Sequence, residues 1–154
     1  MSFPALRKPL WIMLIMANLV FFTAPLVFLV TALGSGMGIG GTLDALVEQV
    51  TAERVNLLVV SAVALAPMLL LGLILWTGRR FGKFEHSVGR LALGGSLAIL
   101  LVTIFVNLQY WPKFLPARTF LGWPHGIEFL LGPAIAAPVA MLIGMIIAAV
   151  AARR

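Results

Sequence analysis

Four long runs of apolar residues, none with a charge in its central part, dominate the pattern of the chain. They cover about 10–33, 55–77, 91–110 and 127–152. A helix needs about 20 predominantly apolar residues to cross a bilayer, and its backbone groups must be bonded internally there. The short alternating segments typical of a membrane β-barrel do not occur in this sequence. The pattern therefore predicts an all-α integral membrane protein, with residues 1–154 forming one bundle of four transmembrane helices.

The composition supports this class and excludes two others. Hydrophobic residues make up 62% of the 154 residues and charged residues 10%, and the mean hydropathy is +1.10. Soluble domains average about half apolar and about a quarter charged residues. A soluble fold of this size buries only ~70% of the surface that its unfolded chain exposes, so it would leave much of this apolar surface in water. A soluble enzyme and a disordered chain are both excluded.

The basic residues are divided unevenly between the two sides of the predicted bundle. Of the 11 Lys and Arg residues, only Arg54, Lys113 and Arg118 fall on one side, and the other side carries eight: Arg7, Lys8, Arg79, Arg80, Lys83, Arg90, Arg153 and Arg154. Short loops rich in Lys and Arg stay in the cytoplasm. We therefore expect a bacterial inner-membrane protein with both termini cytoplasmic. The first run exceeds the ~7–15 apolar residues of a cleavable signal, which predicts an uncleaved helix.

A segment of mixed polarity follows the first run at about 42–54. Its apolar residues share one helical face and its polar residues the other: Leu43, Leu46, Val47 and Val50 against Asp44, Glu48, Gln49 and Glu53. This spacing predicts a short amphipathic helix at the membrane interface, with Thr42 as its N-cap. A docking helix for a partner protein is the alternative interpretation.

Aromatic residues mark the ends of the apolar runs. Trp and Tyr favour the membrane–water interface, so we predict five interface anchors: Trp11, Trp76, Tyr110, Trp111 and Trp123. The last three lie in the aromatic, proline-containing segment 110–126, which is interpreted as a loop on the bilayer surface or, alternatively, as a lid over a lipid or quinone entry point.

Two further sets of residues are predicted to hold helices together. Polar side chains within or at the ends of the runs are expected to bond between helices: Asn18, Asn56, Asn107 and Gln109. Small residues along the fourth run let another helix approach closely: Gly132, Ala136, Ala140 and Gly144. We expect the two glycines to tolerate Ala better than Leu, because close approach is limited by side-chain volume.

Candidates for chemistry are few. His125 and Glu128 lie three residues apart at the start of the fourth run, a spacing that fits either an acid–base pair or an interfacial histidine with a helix-capping carboxylate. The chain contains no cysteine, which excludes disulfides, thiolate metal sites and iron–sulfur clusters. Its two histidines fall on opposite predicted sides, which excludes a bis-histidine haem. We predict no cofactor, no metal site and no nucleic-acid partner.

These observations leave three functions open. The leading hypothesis is a non-catalytic structural, accessory or assembly subunit of a larger membrane complex, whose partners are the lipid bilayer and either other subunits or further copies of the chain. A small oligomeric transporter or channel is the second hypothesis, because prolines interrupt three of the four runs. The third is an outer-face enzyme that uses His125 and Glu128 on a lipid-borne substrate.

Overall fold

The computed structural model describes residues 4–51, 57–82, 87–111 and 132–151, with the side chains of 4–7 excepted. Every regular element within these ranges is helical, and none is a strand. Four segments are long and apolar enough to cross a membrane, as the hydrophobic pattern predicts: Lys8–Gly34, Leu57–Arg80, Val88–Tyr110 and Gly132–Ala151. The described chain is therefore a helical bundle consistent with an integral membrane protein.

Within the described ranges the bundle comprises six α-helices and one π-helical turn. In chain order they are α1 (Pro4–Gly34), α2 (Ile39–Thr51), α3 (Leu57–Val63), α4 (Ala66–Arg80), α5 (Val88–Tyr110), the π-helical turn (Gly132–Ala136) and α6 (Ala137–Ala151). The long helices follow the apolar runs, because helical hydrogen bonding satisfies backbone polar groups without help from the surroundings.

Helix α5 is the centre of the bundle. It packs most extensively against α1 and α6 and also contacts α4. In its most apolar window of 18 residues 44% are buried, compared with 17% in the corresponding window of Gly132–Ala151. Helix α6 therefore lies at the periphery and turns most of its apolar surface outward.

The second apolar run is not one continuous helix. It is divided at Ala64–Leu65, where the Leu65 N–H donates to the Ala62 carbonyl in a tighter turn than an α-helix makes. Pro67 follows at once, and it has no N–H to donate to the Val63 carbonyl. The sequence pattern predicts a single span here because membrane helices often accommodate proline.

Helix α2 folds back against the bundle through a tight turn after α1. Gly36 adopts a left-handed φ of 86°, and the Met37 N–H reaches back to the Ala32 carbonyl. The helix begins at Ile39, so the prediction that Thr42 is its N-cap is wrong. Gly38 precedes the helix instead, which is possible because glycine is among the residues favoured at an N-cap.

The buried residues form two clusters. The first, the Trp111 cluster, contains Ala24, Phe28, Ala32, Leu57, Val60, Tyr110 and Trp111. The second, the methionine cluster, is built around Met16, Met68, Met141 and Met145, with Val20, Ala64, Leu71, Leu75, Leu91, Ala92 and Ile99. The methionine cluster lies towards the end of the bundle where Lys8, Arg79, Arg80 and Arg90 are found, which we call the basic end.

Candidate functional site

A ladder of polar side chains runs along the buried face of α5 towards Trp111. Thr103 Oγ1 donates to the Ile99 carbonyl at 2.8 Å, and Asn107 Nδ2 donates to the Thr103 carbonyl at 2.8 Å. Trp111 Nε1 then donates to Asn107 Oδ1 at 2.7 Å. The spacing of four residues puts the three side chains on one helical face. Asn107, which the sequence predicts to bond between helices, makes these two bonds along its own segment.

Trp111 closes the ladder inside the protein. It has no exposed surface, and its ring packs edge-on against Phe28 at 5.5 Å and Tyr110 at 4.9 Å between centroids. The sequence predicts Trp111 and Tyr110 as anchors at the membrane surface. They are buried instead because Phe28, which lies between the small residues Ala24 and Ala32 on α1, offers an aromatic face to pack against.

A small cavity lies beside this ladder, where two irregular segments meet α5. Its walls include Thr103 and Asn107 of α5, Pro67 at the start of α4, and Gly132 and Pro133 of the π-helical turn. Its volume is about 10 Å³, which is room for a single water molecule. Polar groups, one interrupted helix and a π-helical turn thus converge inside the bundle; transporters use interrupted helices to bind substrates or ions.

A second close contact joins α5 and α6 nearer the basic end. A methyl group added to Gly94 would lie 2.5 Å from the Gly144 carbonyl oxygen and 2.7 Å from Ala148 Cβ. The two backbones are therefore in direct contact. Gly94 and Ala98 are not among the residues that the sequence predicts to pack helices together. The signal is nevertheless present, because α5 and α6 each carry an alanine four positions after the glycine at the contact.

The other predicted packing residues differ among themselves. A methyl group added to Gly132 would lie 2.8 Å from Val106 Cγ2, so this glycine also approaches α5. Ala136 is exposed and Ala140 is half-buried. The buried stripe of α6 runs instead through Ala137, Met141 and Met145.

Asn18 lies on the exposed face of α1. Its Nδ2 donates to the Leu14 carbonyl of the same helix at 2.8 Å. It is ten residues from Lys8, or about 15 Å along the helix axis, which is close to the middle of a bilayer core. The exposed side chains around it are apolar and include Leu14 (53% exposed) and Phe22 (50% exposed). Within the described chain, the Asn18 amide is thus surrounded by apolar side chains on the exposed surface of α1.

The remaining predicted anchors and polar residues occupy different environments. Trp11 and Trp76 are exposed, and the Arg80 guanidinium lies 5.5 Å from the Trp76 ring centroid. Gln109 is half-buried. Four predicted residues lie outside the described ranges: Asn56, Trp123, His125 and Glu128. Among the side chains that the structure describes, no three His, Asp or Glu residues gather as metal ligands would.

Comparison of the chain with protein-family models, with curated proteins and with solved structures finds no match.

Proposed function

We propose that the protein is a non-catalytic accessory or assembly subunit of a larger membrane protein complex. The observation that carries this proposal is the position of Asn18, a mid-helix amide on an exposed and otherwise apolar face of α1. Polar side chains within a membrane are rare and face other protein or a water-filled cavity. The described chain covers Asn18 with neither, so another protein chain is the cover that we propose.

The hydrogen-bonding capacity of Asn18 supports this assignment. An asparagine amide has two N–H donors and one acceptor oxygen. Its described hydrogen bond uses one donor, and within the described part of the chain Oδ1 has no partner. A bond to a neighbouring helix stabilises association in membranes by about 0.6 kcal/mol on average. The flanking apolar side chains, such as Leu14 and Phe22, would pack against the same helix.

The experiment is a comparison of two variants after purification in a mild detergent. Asn18→Leu removes the amide, whereas Thr77→Val removes a hydroxyl group that also bonds to its own helix, with Thr77 Oγ1 donating to the Leu73 carbonyl at 2.7 Å. We expect the wild type and Thr77→Val to elute with the same amount of partner chain and Asn18→Leu with about threefold less, as measured by size and native mass spectrometry. Recovery of the wild type as a single chain would contradict the proposal.

The proposed setting is a bacterial inner membrane with both termini in the cytoplasm. The excess of basic residues at one end supports this orientation. Helix α2 then lies at the outer interface, where its exposed Leu43 and Val47 contact the bilayer. Reporter fusions after Arg90 and after Arg154 should report cytoplasm, and a fusion near Glu48 should report the opposite side.

A small transporter or channel is the second candidate, and the cavity beside Thr103 and Asn107 favours it. Interrupted helices expose backbone carbonyls that can coordinate ions. The break after α3 and the π-helical turn both border this cavity. The test is flux of H⁺, K⁺ and Cl⁻ into proteoliposomes. A transporter should move one of them, and Asn107→Leu should abolish the flux while Gln109→Leu, at a half-buried position outside the cavity lining, should retain it. The absence of flux for all three ions would favour the subunit proposal.

A further inference from the structure

A long groove follows the contact between α5 and α6 towards the basic end. Its volume is about 610 Å³, and it is some sixty times larger than the cavity beside Asn107. The floor is formed by the small residues of the helix contact, among them Gly94 and Gly144. Leu93, Leu97 and Ile147 stand along its sides and are 44%, 44% and 63% exposed. Small residues at the contact and large residues beside it thus create an apolar channel open to the surroundings.

The groove has one charged end. Arg90, an exposed residue in the first turn of α5, lines its mouth, and the opposite limit on α5 is Leu101. Eleven residues separate them, which corresponds to about 16 Å along the helix. Half of a hydrocarbon core is about 15 Å thick. The groove therefore extends from a cationic group at membrane-surface depth to about the middle of the bilayer.

We infer that this groove binds one acyl chain of an anionic phospholipid, with the lipid phosphate at Arg90. Two features select this occupant over a protein helix. The channel matches the length of one leaflet rather than of a whole membrane. Among the described residues that line it, the one charged group is a guanidinium, which forms bidentate bonds with phosphate. A zwitterionic lipid matches the channel but carries a compensating cation next to its phosphate. The site is independent of the face around Asn18.

The test measures lipid retained by the purified full-length protein. After extraction into detergent, the protein is mixed with phosphatidylglycerol or with phosphatidylcholine of the same acyl chains, and native mass spectrometry counts bound lipid. We expect one phosphatidylglycerol per chain and at least fivefold less phosphatidylcholine. Arg90→Gln should lower phosphatidylglycerol retention about fivefold, the factor that one basic group near a membrane surface contributes. Arg90→Lys should keep most of it.

Matched controls separate this site from a general charge effect. Arg80→Gln removes the same charge at the same end from a residue outside the groove, and it should change retention less than twofold. Ala151→Trp fills the groove near its mouth and should lower retention, whereas Val150→Trp, on an exposed position outside the lining, should not. Helical circular dichroism confirms that each variant is folded.

Several outcomes would overturn the inference. Equal retention of the two lipids by the wild type would exclude selection by charge. Equal losses in Arg90→Gln and Arg80→Gln would indicate diffuse attraction at the basic end, and unchanged retention in Ala151→Trp would place the acyl chain elsewhere. Displacement of phosphatidylglycerol by glycerol 3-phosphate, which has no acyl chains, would reveal a phosphate site that does not need the groove.

Discussion

Helix α5 is held to its neighbours in two contrasting ways. At one end the large ring of Trp111 fills the space against Phe28 and is tied to Asn107 by a hydrogen bond. Towards the basic end the contact with α6 depends on missing side chains, because Gly94 and Gly144 bring the two backbones together. The first contact depends on the shape of a large side chain, and the second depends on glycines, which have no side chain to hold the helices apart.

For a chain that spans a membrane, the difference between the two contacts follows from the lipid that surrounds the helices. Lipid is as apolar as leucine, so burial of apolar surface does not by itself draw membrane helices together, and association depends on close packing and hydrogen bonds. The Trp111 cluster is stabilised by edge-on aromatic packing and a hydrogen bond, whereas the glycine contact is stabilised by van der Waals packing between two closely spaced backbones. The two regions should therefore fail under different kinds of substitution.

The largest effect is expected from removing the ring at the Trp111 end. Trp111→Ala should lower the free energy of unfolding by about 3 kcal/mol, which is the low end of the range for a buried tryptophan. The low end applies because the apolar surface that the ring buries would otherwise contact detergent, which is itself apolar, rather than water. Thermal unfolding in detergent micelles measures this. The matched control is Trp76→Ala at a ring that is 60% exposed, which loses the Arg80 contact but buries far less surface than Trp111 and should cost under ~1 kcal/mol. Equal costs would show that Trp111 contributes no specific packing.

An intermediate effect is expected from the smallest possible addition at the glycine contact. Gly144→Ala should cost about 2 kcal/mol, since its methyl group would meet the Gly94 backbone and the Ala98 side chain, and overpacking of this kind typically costs 1–3 kcal/mol. The expectation that Gly144 tolerates Ala better than Leu stays a prediction, and Gly144→Leu should cost more than Gly144→Ala because its side chain is larger.

Gly132→Ala is the matched control for this prediction. Its methyl group would meet the Val106 side chain but no backbone atom, whereas at Gly144 it would meet the Gly94 backbone, so it should cost less than Gly144→Ala. Gly89, which has open space around it, should accept alanine with a gain of up to ~1 kcal/mol from helix propensity. If Gly144→Ala is as stable as the wild type, the helices do not touch at this point.

The smallest effect concerns two hydroxyl groups on α5 between these regions. Ser96 is completely buried, and its Oγ has no hydrogen-bond partner in the part of the chain that the structure describes, whereas Thr103 Oγ1 is bonded to the Ile99 carbonyl. Ser96→Ala should therefore stabilise the protein by about 0.5–1 kcal/mol, and Thr103→Val should leave it unchanged or slightly destabilised. Chemical unfolding of both variants in one detergent checks the sign; destabilisation by Ser96→Ala would reveal a partner for this hydroxyl.

Run length and polarity were sufficient to predict four apolar helices, because a membrane leaves an apolar run few alternatives to a helix. The same reasoning could not predict which way each residue faces. Trp111 illustrates the difficulty: tryptophan is favoured both at membrane interfaces and in packed cores, and only the position of Phe28 on another helix decides between them.

The candidate sites depend on pairs of helices that are distant in sequence. One cavity is lined by Pro67 and by the π-helical turn at Gly132–Ala136, but only once the bundle has formed. Neither irregular segment alone therefore indicates a site. The glycine contact was in principle readable, since Gly94 and Gly144 each precede an alanine by four residues. Which glycine meets which is decided by helix pairing, and that is a property of the whole fold.

The proposed function requires another chain to cover the face of α1 around Asn18. The most direct measurement is photo-crosslinking in native membranes from a benzoylphenylalanine at Phe22, one turn from Asn18, compared with the same probe at Leu69 on α4, which is 76% exposed. We expect one discrete crosslinked chain from position 22, none from position 69, and about threefold less product in an Asn18→Leu background. Only lipid adducts from position 22, or the same protein products from positions 22 and 69, would contradict the proposed cover.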